Sequence, residues 1–578
     1  MPVPLLHFDF PKPLSFSDPV ESITAERVSQ VIPALHRVQE KVDAGFYAAG
    51  FIGYEAAQAF DAALVTHPPV PSLPLLWFGI YTEPQTEPGK IQGECVAVID
   101  LVPETDEANY HDSIDRIRSG IAAGYFYQVN QTFRLRAPWT GSGRGLYRRM
   151  ADASGGDYCA FLDLGRYQVL SASPELFFHR KGSHLVTKPM KGTRPRGRWT
   201  EEDARIAGEL VCSSKDRAEN LMIVDLLRND LGRIAEIGSV RVTQLFKAER
   251  YPTLWQMIST VEAEISPAIG LVEVFSALFP CGSVTGTPKV SAMKQIAELE
   301  TSPRGVYCGA VGYITPDQEA VFSVAIRTGL LDTQEQHLCY GVGGGIVWDS
   351  TPENEYAEAL SKSAIFGELA PAFELLETIL WEQGAYVLRG RHLDRLLDSA
   401  AYFGYPLQLS DLEDALEAGT RHWDSAPRRV RLLAAQDGLL RLESEPLKPL
   451  PGLPLPVSLA KTPVSKRDPF LCHKTTHRAI YEAHRRGHPK CFDVLLWNEE
   501  EELTEFTIGN LVLEDRGVLW TPPRECGLLA GVLRGELLAA GRIQERVLRF
   551  DDLKTAQGLW LMNSVRGLIP VVLKDTGY

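Results

Sequence analysis

Near residue 367 the pattern of this 578-residue chain stops and then starts again. A helix-like run over 352–369 ends in Gly367-Glu-Leu-Ala-Pro371, and a strand-like run, 373–381, follows at once. Proline lacks the N–H a helix needs and disfavours helical backbone in the residue before it, so the helix cannot continue. A single hydrophobic core also stops growing beyond roughly 250–300 residues. The chain is therefore expected to form two domains, 1–370 and 371–578, with a Pro-rich connector at 446–456 inside the second. In the first, 112–123 has helical periodicity and 201–234 reads as one long amphipathic helix, N-capped by Thr200 with acids in its first turn. The runs 307–314, 320–331 and 337–342 read as an antiparallel meander.

Charge and composition narrow the function. With 44% hydrophobic and 23% charged residues the chain is that of a globular protein with ample core, and a net charge of -15 argues against a nucleic-acid partner. The N-terminus has no basic leader and no apolar stretch is long enough to span a bilayer, so no membrane partner is expected and a cytoplasmic location is. Nine cysteines without CxxC spacing signal neither a disulfide framework nor zinc.

Lys191 stands in a Gly/Pro-punctuated stretch, Thr187-Lys-Pro-Met-Lys191-Gly-Thr-Arg-Pro-Arg196, read as a turn after the strand-like 183–186. Sixteen residues upstream, Ser171-Ala-Ser-Pro-Glu175 supplies a carboxylate. Such a pair can serve as nucleophile and proton donor, although a lone loop lysine is more often simply solvated. Asp216 and Glu219, like Glu355 and Glu358, lie three apart and share a helix face. Four converging carboxylates would suit Mg2+; solvated helix faces are the alternative. Gly341-Val-Gly343-Gly-Gly345 fits no dinucleotide or Walker pattern, but it lets backbone N–H groups approach an anion. Beyond the break, Arg395, Lys474 and Glu505 precede Gly527-Leu-Leu-Ala-Gly531-Val532-Leu533-Arg534, a glycine-rich turn leading into a helix. A lysine, a carboxylate and an anion clamp are what pyridoxal phosphate needs, though spacing alone does not establish them.

In order and number, the segments of the first domain resemble the chorismate-utilising enzymes. The matching stretches include Tyr125-Phe-Tyr-Gln128-Val-Asn130, Ser171 to Glu175, Pro189-Met-Lys191-Gly-Thr193 and Lys215-Asp216-Arg-Ala-Glu219. Further matches are Cys281-Gly-Ser283-Val-Thr-Gly-Thr-Pro-Lys289, Arg304-Gly-Val-Tyr307, Ala325-Ile-Arg327-Thr and Glu353-Asn-Glu355-Tyr-Ala-Glu358. The resemblance implies an α+β fold of antiparallel sheets flanked by helices. It implies Mg2+ on Glu219 and Glu355, with Glu358 and Asp216 acting partly through water. It also implies that Ser283, Tyr307, Arg327 and the amides around Gly343 to Gly345 hold the substrate's carboxylates. Members that add water carry a lysine base where this chain has Gln128, and anthranilate synthases carry alanine where it has Lys191. A lysine there resembles the aminodeoxychorismate synthases, with Lys191 as nucleophile and Glu175 as acid. Gln256 departs from the histidine of anthranilate synthases.

The second domain resembles the fold-type IV pyridoxal-phosphate enzymes, a second α+β fold. By that match Lys474 carries the cofactor and Glu505 pairs its ring nitrogen. Arg395, the amides of Val532 and Leu533, and Ser564 in Asn563-Ser-Val-Arg-Gly567 hold its phosphate. This family includes aminotransferases and aminodeoxychorismate lyase, and fusion to the first domain favours the lyase, since consecutive steps gain effective concentration. The expected product is 4-aminobenzoate. No Gly-x-Cys-x-Gly glutaminase elbow is present, so ammonia is expected from a separate glutamine amidotransferase. A homodimer through the second domain is a further expectation. The rivals are an anthranilate synthase fused to an aminotransferase, and an active synthase with a silent dimerisation tail.

Overall fold

The strand Tyr47–Ile52 shows how the first unit is layered. Ala48 and Ile52 join a core with the helices Val28–Asp43 and Leu271–Leu278, while Ala49 and Phe51 face Leu6, Phe8, Leu162 and Val169 of another sheet. Alternate side chains of a strand point to opposite faces, so one strand serves two cores. The computed structural model describes residues 5–10, 12–86, 91, 99–367, 372–420 and 423–574. Two compact units emerge: Met1–Arg196 with Ala207–Leu369, and Gly197–Ile206 with Ala370–Tyr578. The boundary expected at 367–371 falls on 368–371, outside the described residues.

Among the described residues the first unit holds two ten-stranded sheets whose pairings are all antiparallel. A core shared by both lies between them, and helices cover each outer face. The result is a helix–sheet–sheet–helix sandwich. The expected meander is split between the sheets. Glu319–Val324 pairs in one and Thr328–Asp332 in the other, with the crossing at 325–327, where Arg327 takes a left-handed φ of 49°. The expected helix over 201–234 is two helices, Thr200–Cys212 and Ser214–Gly232. Ser213 adopts extended backbone (φ -64°, ψ 117°), and its hydroxyl accepts the Asp216 N–H, a local bond that competes with helix continuation. The helix starting at Pro352 ends at Ser361 and tightens into a 3-10 turn, Lys362–Phe366, whose Phe366 carbonyl accepts from Arg149 at 2.9 Å.

In the second unit a four-stranded antiparallel sheet is covered by the helices Arg389–Phe403 and Leu409–Thr420. A second, eight-stranded mixed sheet closes on itself because Leu503–Phe506 pairs with both Asp493–Trp497 and Gly509–Asp515. Leu455, Leu495, Leu511, Leu561 and Ile569 share its buried core. Residues 197–206 belong to this unit: the Tyr402 hydroxyl donates to the Gly197 carbonyl at 2.7 Å. Among the described residues no helix is long and apolar enough to cross a membrane.

Phe322, fully buried, lies 5.2 Å from the rings of Phe178 and Phe275. Phe322→Ala should lower the stability of the first unit by about 3–5 kcal/mol, read from the shift of its denaturant midpoint.

Candidate active sites

Lys191 is on the strand Met190–Pro195 and not in a turn. Met190 pairs with Ile258 and Thr193 with Gln256, so Lys191 and Gly192 stand opposite Met257 alone. Such a bulge re-aims a side chain, and Gly192 supplies the left-handed φ of 90°. The amine is thereby sent inward. A Cβ on Gly345 would stand 2.7 Å from the Lys191 amine and 2.5 Å from Gln128 Nε2, so these two groups converge where only glycine leaves room. Gln256 steadies the bulge, donating from Nε2 to the Gly192 carbonyl at 3.0 Å and accepting from the Thr193 hydroxyl at 3.0 Å.

Burial pushes the Lys191 amine below its ordinary value, against the pull of Glu219 and Glu175. Burial likewise raises Glu175 to about 7, with Ser283 and Lys191 opposing. A carboxyl at that value can hold a proton near neutral pH and give it up, as a general acid must. Glu175 Oε1 and both amide atoms of Gln128 are buried without a hydrogen-bond partner among the described residues. Buried polar groups are rarely left so, and here they line a place for a polar ligand.

Arg327 rounds the sheet crossing with its guanidinium on Ser154 Oγ at 3.0 Å, and burial lowers its pKa. It has no carboxylate within ion-pair distance among the described residues. Tyr307 lies against Gly341, and Ser283 sits in the 3-10 turn Gly282–Val284 beside Cys281. The strand His337–Ile346 pairs with its second neighbour only as far as Tyr340, so over 341–346 one edge, Gly343 and Gly345 included, lies outside the ladder.

The four carboxylates are not gathered into one cluster. Asp216 is held by Arg194 at 2.6 Å and Glu358 by Lys362 at 3.1 Å, and no metal-type group of three or more is present among the described residues. Glu355 and Glu358 nonetheless flank Gly344. Burial raises Glu219 and Glu355, the first further by Asp216 and Glu355, the second by Glu358. Half-desolvated carboxylates that repel one another fit an added cation. The sequence reading missed Lys362, which also donates to the Gly343 carbonyl at 2.6 Å.

In the second unit Lys474 is half-buried, and its amine is lowered to about 8 by desolvation and by Arg395, with Glu377 opposing. Glu505, on Leu503–Phe506, is raised to about 8 by burial, although the Tyr481 hydroxyl donates to it at 2.8 Å. Arg395 grips Glu377 through Nε and Nη2, both at 2.7 Å, and donates from Nη1 to the Ala530 carbonyl at 3.1 Å. Three of five N–H groups are thus engaged and two remain for an anion. Against the upward push of burial, Arg395 and His392 hold Glu377 at about 2. Gly531 N-caps the helix Val532–Ala539, so the amides of Val532 and Leu533 open its first turn beside Arg395. Ser564 lies in the turn after Gly558–Asn563, where Asn563 Oδ1 accepts the N–H groups of Val565 and Arg566. Glu377 was missed, yet a glutamate inside the apolar run Leu-Leu-Glu377-Thr-Ile-Leu-Trp was a visible signal.

Residues 10–367 match the chorismate binding enzyme family, and 374–573 match the class IV amino-transferases. The chain belongs to the chorismate-binding enzymes. It is 42% identical over 279 residues to an aminodeoxychorismate synthase of Streptomyces griseus, a match covering 47% of this chain and 37% of that one. Component 1 of aminodeoxychorismate synthase from Bacillus subtilis is 37% identical, covering 44% of this chain and 54% of its own length. Anthranilate synthase component 1 of Aquifex aeolicus is also 37% identical, covering 46% and 53%. The chain thus spans about half the length, or less, of these curated relatives. The solved anthranilate synthase component I of Streptococcus pneumoniae aligns with a TM-score of 0.55 and 26% identity, covering 64% of this chain and 93% of that one. The class IV match implies pyridoxal phosphate, and the half-buried lysine, the buried glutamate and the spare arginine donors fit it.

The amine of Lys474 moves from 10.5 to about 8 on folding. The unfolded chain therefore binds this proton more tightly, and folding is penalised in full below about pH 8, the penalty fading as pH rises to 10.5. In cofactor-free protein Lys474→Met should stabilise the second unit by about 3 kcal/mol at pH 7, and the gain should shrink through that window in melts taken at stepped pH.

Proposed function

We propose that the chain makes 4-aminobenzoate from chorismate in two steps, with the first unit as synthase and the second as lyase. The observation that carries the reading is the convergence of Lys191 with Gln128 at Gly345, beside a Glu175 poised at about 7. Identity does not choose between the two synthase types, because relatives of both names match about equally. Residue 191 supports the aminodeoxychorismate type. An anthranilate-type enzyme needs no nucleophilic side chain there, whereas this strand carries one at a bulge.

In the first step the Lys191 amine forms a bond to ring C2 and the C4 hydroxyl departs as water, protonated by Glu175. Ammonia then bonds to C4 and expels the lysine, so the net change is exchange of hydroxyl for amine. Gln128 cannot deprotonate water, which keeps water from taking the place of ammonia. Arg327, Tyr307, Ser283 and the strand edge around Gly343 and Gly345 hold the carboxylates. Glu219 and Glu355, with Glu358 and Asp216 nearby, are the residues that would hold Mg2+, which would supply further positive charge against those carboxylates. A separate glutamine amidotransferase supplies the ammonia.

In the second unit Glu505 would pair the ring nitrogen of pyridoxal phosphate, while Arg395, the Val532 and Leu533 amides and Ser564 would hold its phosphate. Bound there, pyridoxal phosphate supplies an electron sink. Lys474 takes the proton from ring C4, returns one as pyruvate leaves, and the ring becomes aromatic. Its depressed pKa keeps an appreciable fraction of the amine neutral, as a base must be.

The deciding experiment is product analysis with chorismate, Mg2+ and ammonia. 4-Aminobenzoate supports the reading and anthranilate overturns it. Lys191→Ala should slow aminodeoxychorismate formation by about two to four orders of magnitude; a rate within about twofold of wild type removes Lys191 from the chemistry. Lys474→Ala should lose the visible absorbance of bound cofactor and accumulate aminodeoxychorismate, with 4-aminobenzoate restored by an added lyase. Continued 4-aminobenzoate production at the wild-type rate would mean that the second unit is not the lyase.

A further inference from the structure

Beneath the synthase site lies a charged cluster that the proposed chemistry does not use. Glu300, Arg304 and Arg134 are each almost wholly buried. Arg304 Nε donates to Glu300 Oε2 at 3.0 Å, and Nη2 donates to Glu300 Oε1 at 2.6 Å. The same guanidinium donates to the Val284 carbonyl at 2.7 Å and the Asn130 carbonyl at 2.8 Å. Glu300 Oε1 also accepts the Thr132 N–H at 2.9 Å and its hydroxyl at 2.7 Å. Glu55 takes the N–H groups of Arg304 and Gly305, one on each oxygen, at 2.7 and 2.9 Å. Arg134 donates to the Pro303 carbonyl at 3.3 Å and stands 5.1 Å over the Tyr307 ring.

Stability alone does not account for such a cluster. Desolvating two guanidinium ions is costly, and well-packed apolar side chains of the same volume often stabilise as well or better. What the cluster does instead is join segments distant in sequence. Val284 directly follows Ser283; Asn130 stands two residues after Gln128 and pairs across the ladder with Gly345; Tyr307 lies under Arg134. One rigid fork therefore ties two walls of the site together, and its counter-ion reaches a third through Arg134.

We infer that Arg304, oriented by Glu300, is a positioning residue for the synthase site: it fixes Ser283 and the 128–130 strand relative to each other and to Tyr307. The inference rests on the reading of the first unit as a chorismate-aminating site. Arg304 touches no reacting atom; its effect passes through the carbonyls it holds.

The test compares wild type with Arg304→Lys, which keeps the charge and loses the fork. Chorismate affinity by fluorescence titration, kcat and KM are all expressed per folded molecule. Misplacing a site by about 1 Å costs on the order of 100-fold, so kcat/KM for chorismate should fall about that far with weakened chorismate binding. Turnover of supplied aminodeoxychorismate by the same preparation should stay unchanged. A merely structural role predicts a lowered melting temperature with kinetics of the folded fraction intact. Binding and kcat/KM within about threefold of wild type would overturn the inference. Should Arg304→Lys fail to fold, Thr132→Val removes one donor to Glu300 and the acceptor of Arg134 Nη1, leaves both arginines ion-paired with Glu300, and should cost about tenfold; no loss there overturns it equally. If wild type binds chorismate but yields no aminodeoxychorismate, the functional reading fails while the affinity comparison still decides on Arg304.

Discussion

Taking an amine out of water costs free energy, and the cost is met either by a nearby carboxylate or by giving up the proton. Both units of this chain are built around one such amine. Lys191 is pushed inward by a strand bulge and met by Glu219 and Glu175. Lys474 lies half-buried beside Arg395, whose charge adds to the desolvation, while Glu377 and Glu505 draw the other way. The neighbours decide the use. An amine whose pKa is lowered by burial gives up its proton more readily than an exposed lysine and so is better suited to act as nucleophile or base.

The same physics separates the two carboxyls that accompany these amines. Burial raises Glu175 to about 7 and Glu505 to about 8. Glu175 keeps one buried oxygen without a hydrogen-bond partner among the described residues. Glu505 is fastened by the Tyr481 hydroxyl at 2.8 Å and by Asn510 at 3.4 Å, an arrangement that holds an acceptor still. On the proposed reading the first would move a proton and the second would pair the cofactor's ring nitrogen.

How much of this was legible in the sequence depended on whether the signal was local. The glycine-rich turn ahead of Val532 has its cause within a few residues and was read correctly as a helix start. Ser213 was legible in principle, since a serine three before an aspartate is a capping signal, but apolar periodicity on both sides masked it. The bulge at Lys191 was not legible: it arises because 190–195 must register with Leu254–Glu264, a long-range pairing that local spacing does not encode. The sheet crossing at 325–327 is of the same kind. Apolar alternation runs on through Ile326, and only the demand that the chain change sheets turns Arg327 to a positive φ. The candidate site residues were therefore visible as residues, through the family motifs, while the devices that aim them were not.

Two arginines of the first unit, Arg304 buried and Arg327 half-buried, show how scaffold and ligand sites can be told apart. Arg304 has every direction of its fork answered within the protein: two bonds to Glu300 and one each to the carbonyls of Val284 and Asn130. Its charge is spent on fixing the frame. Arg327 is pushed down by burial as well, yet it meets only the Ser154 hydroxyl and no carboxylate among the described residues. A guanidinium partly withdrawn from water without a counter-ion is unfavourable in the free protein, and an anionic ligand would relieve that deficit where it would relieve nothing at Arg304. On the proposed reading, the free energy withheld at Arg327 during folding becomes available on binding, and the rigidity supplied at Arg304 fixes the geometry in which it is released.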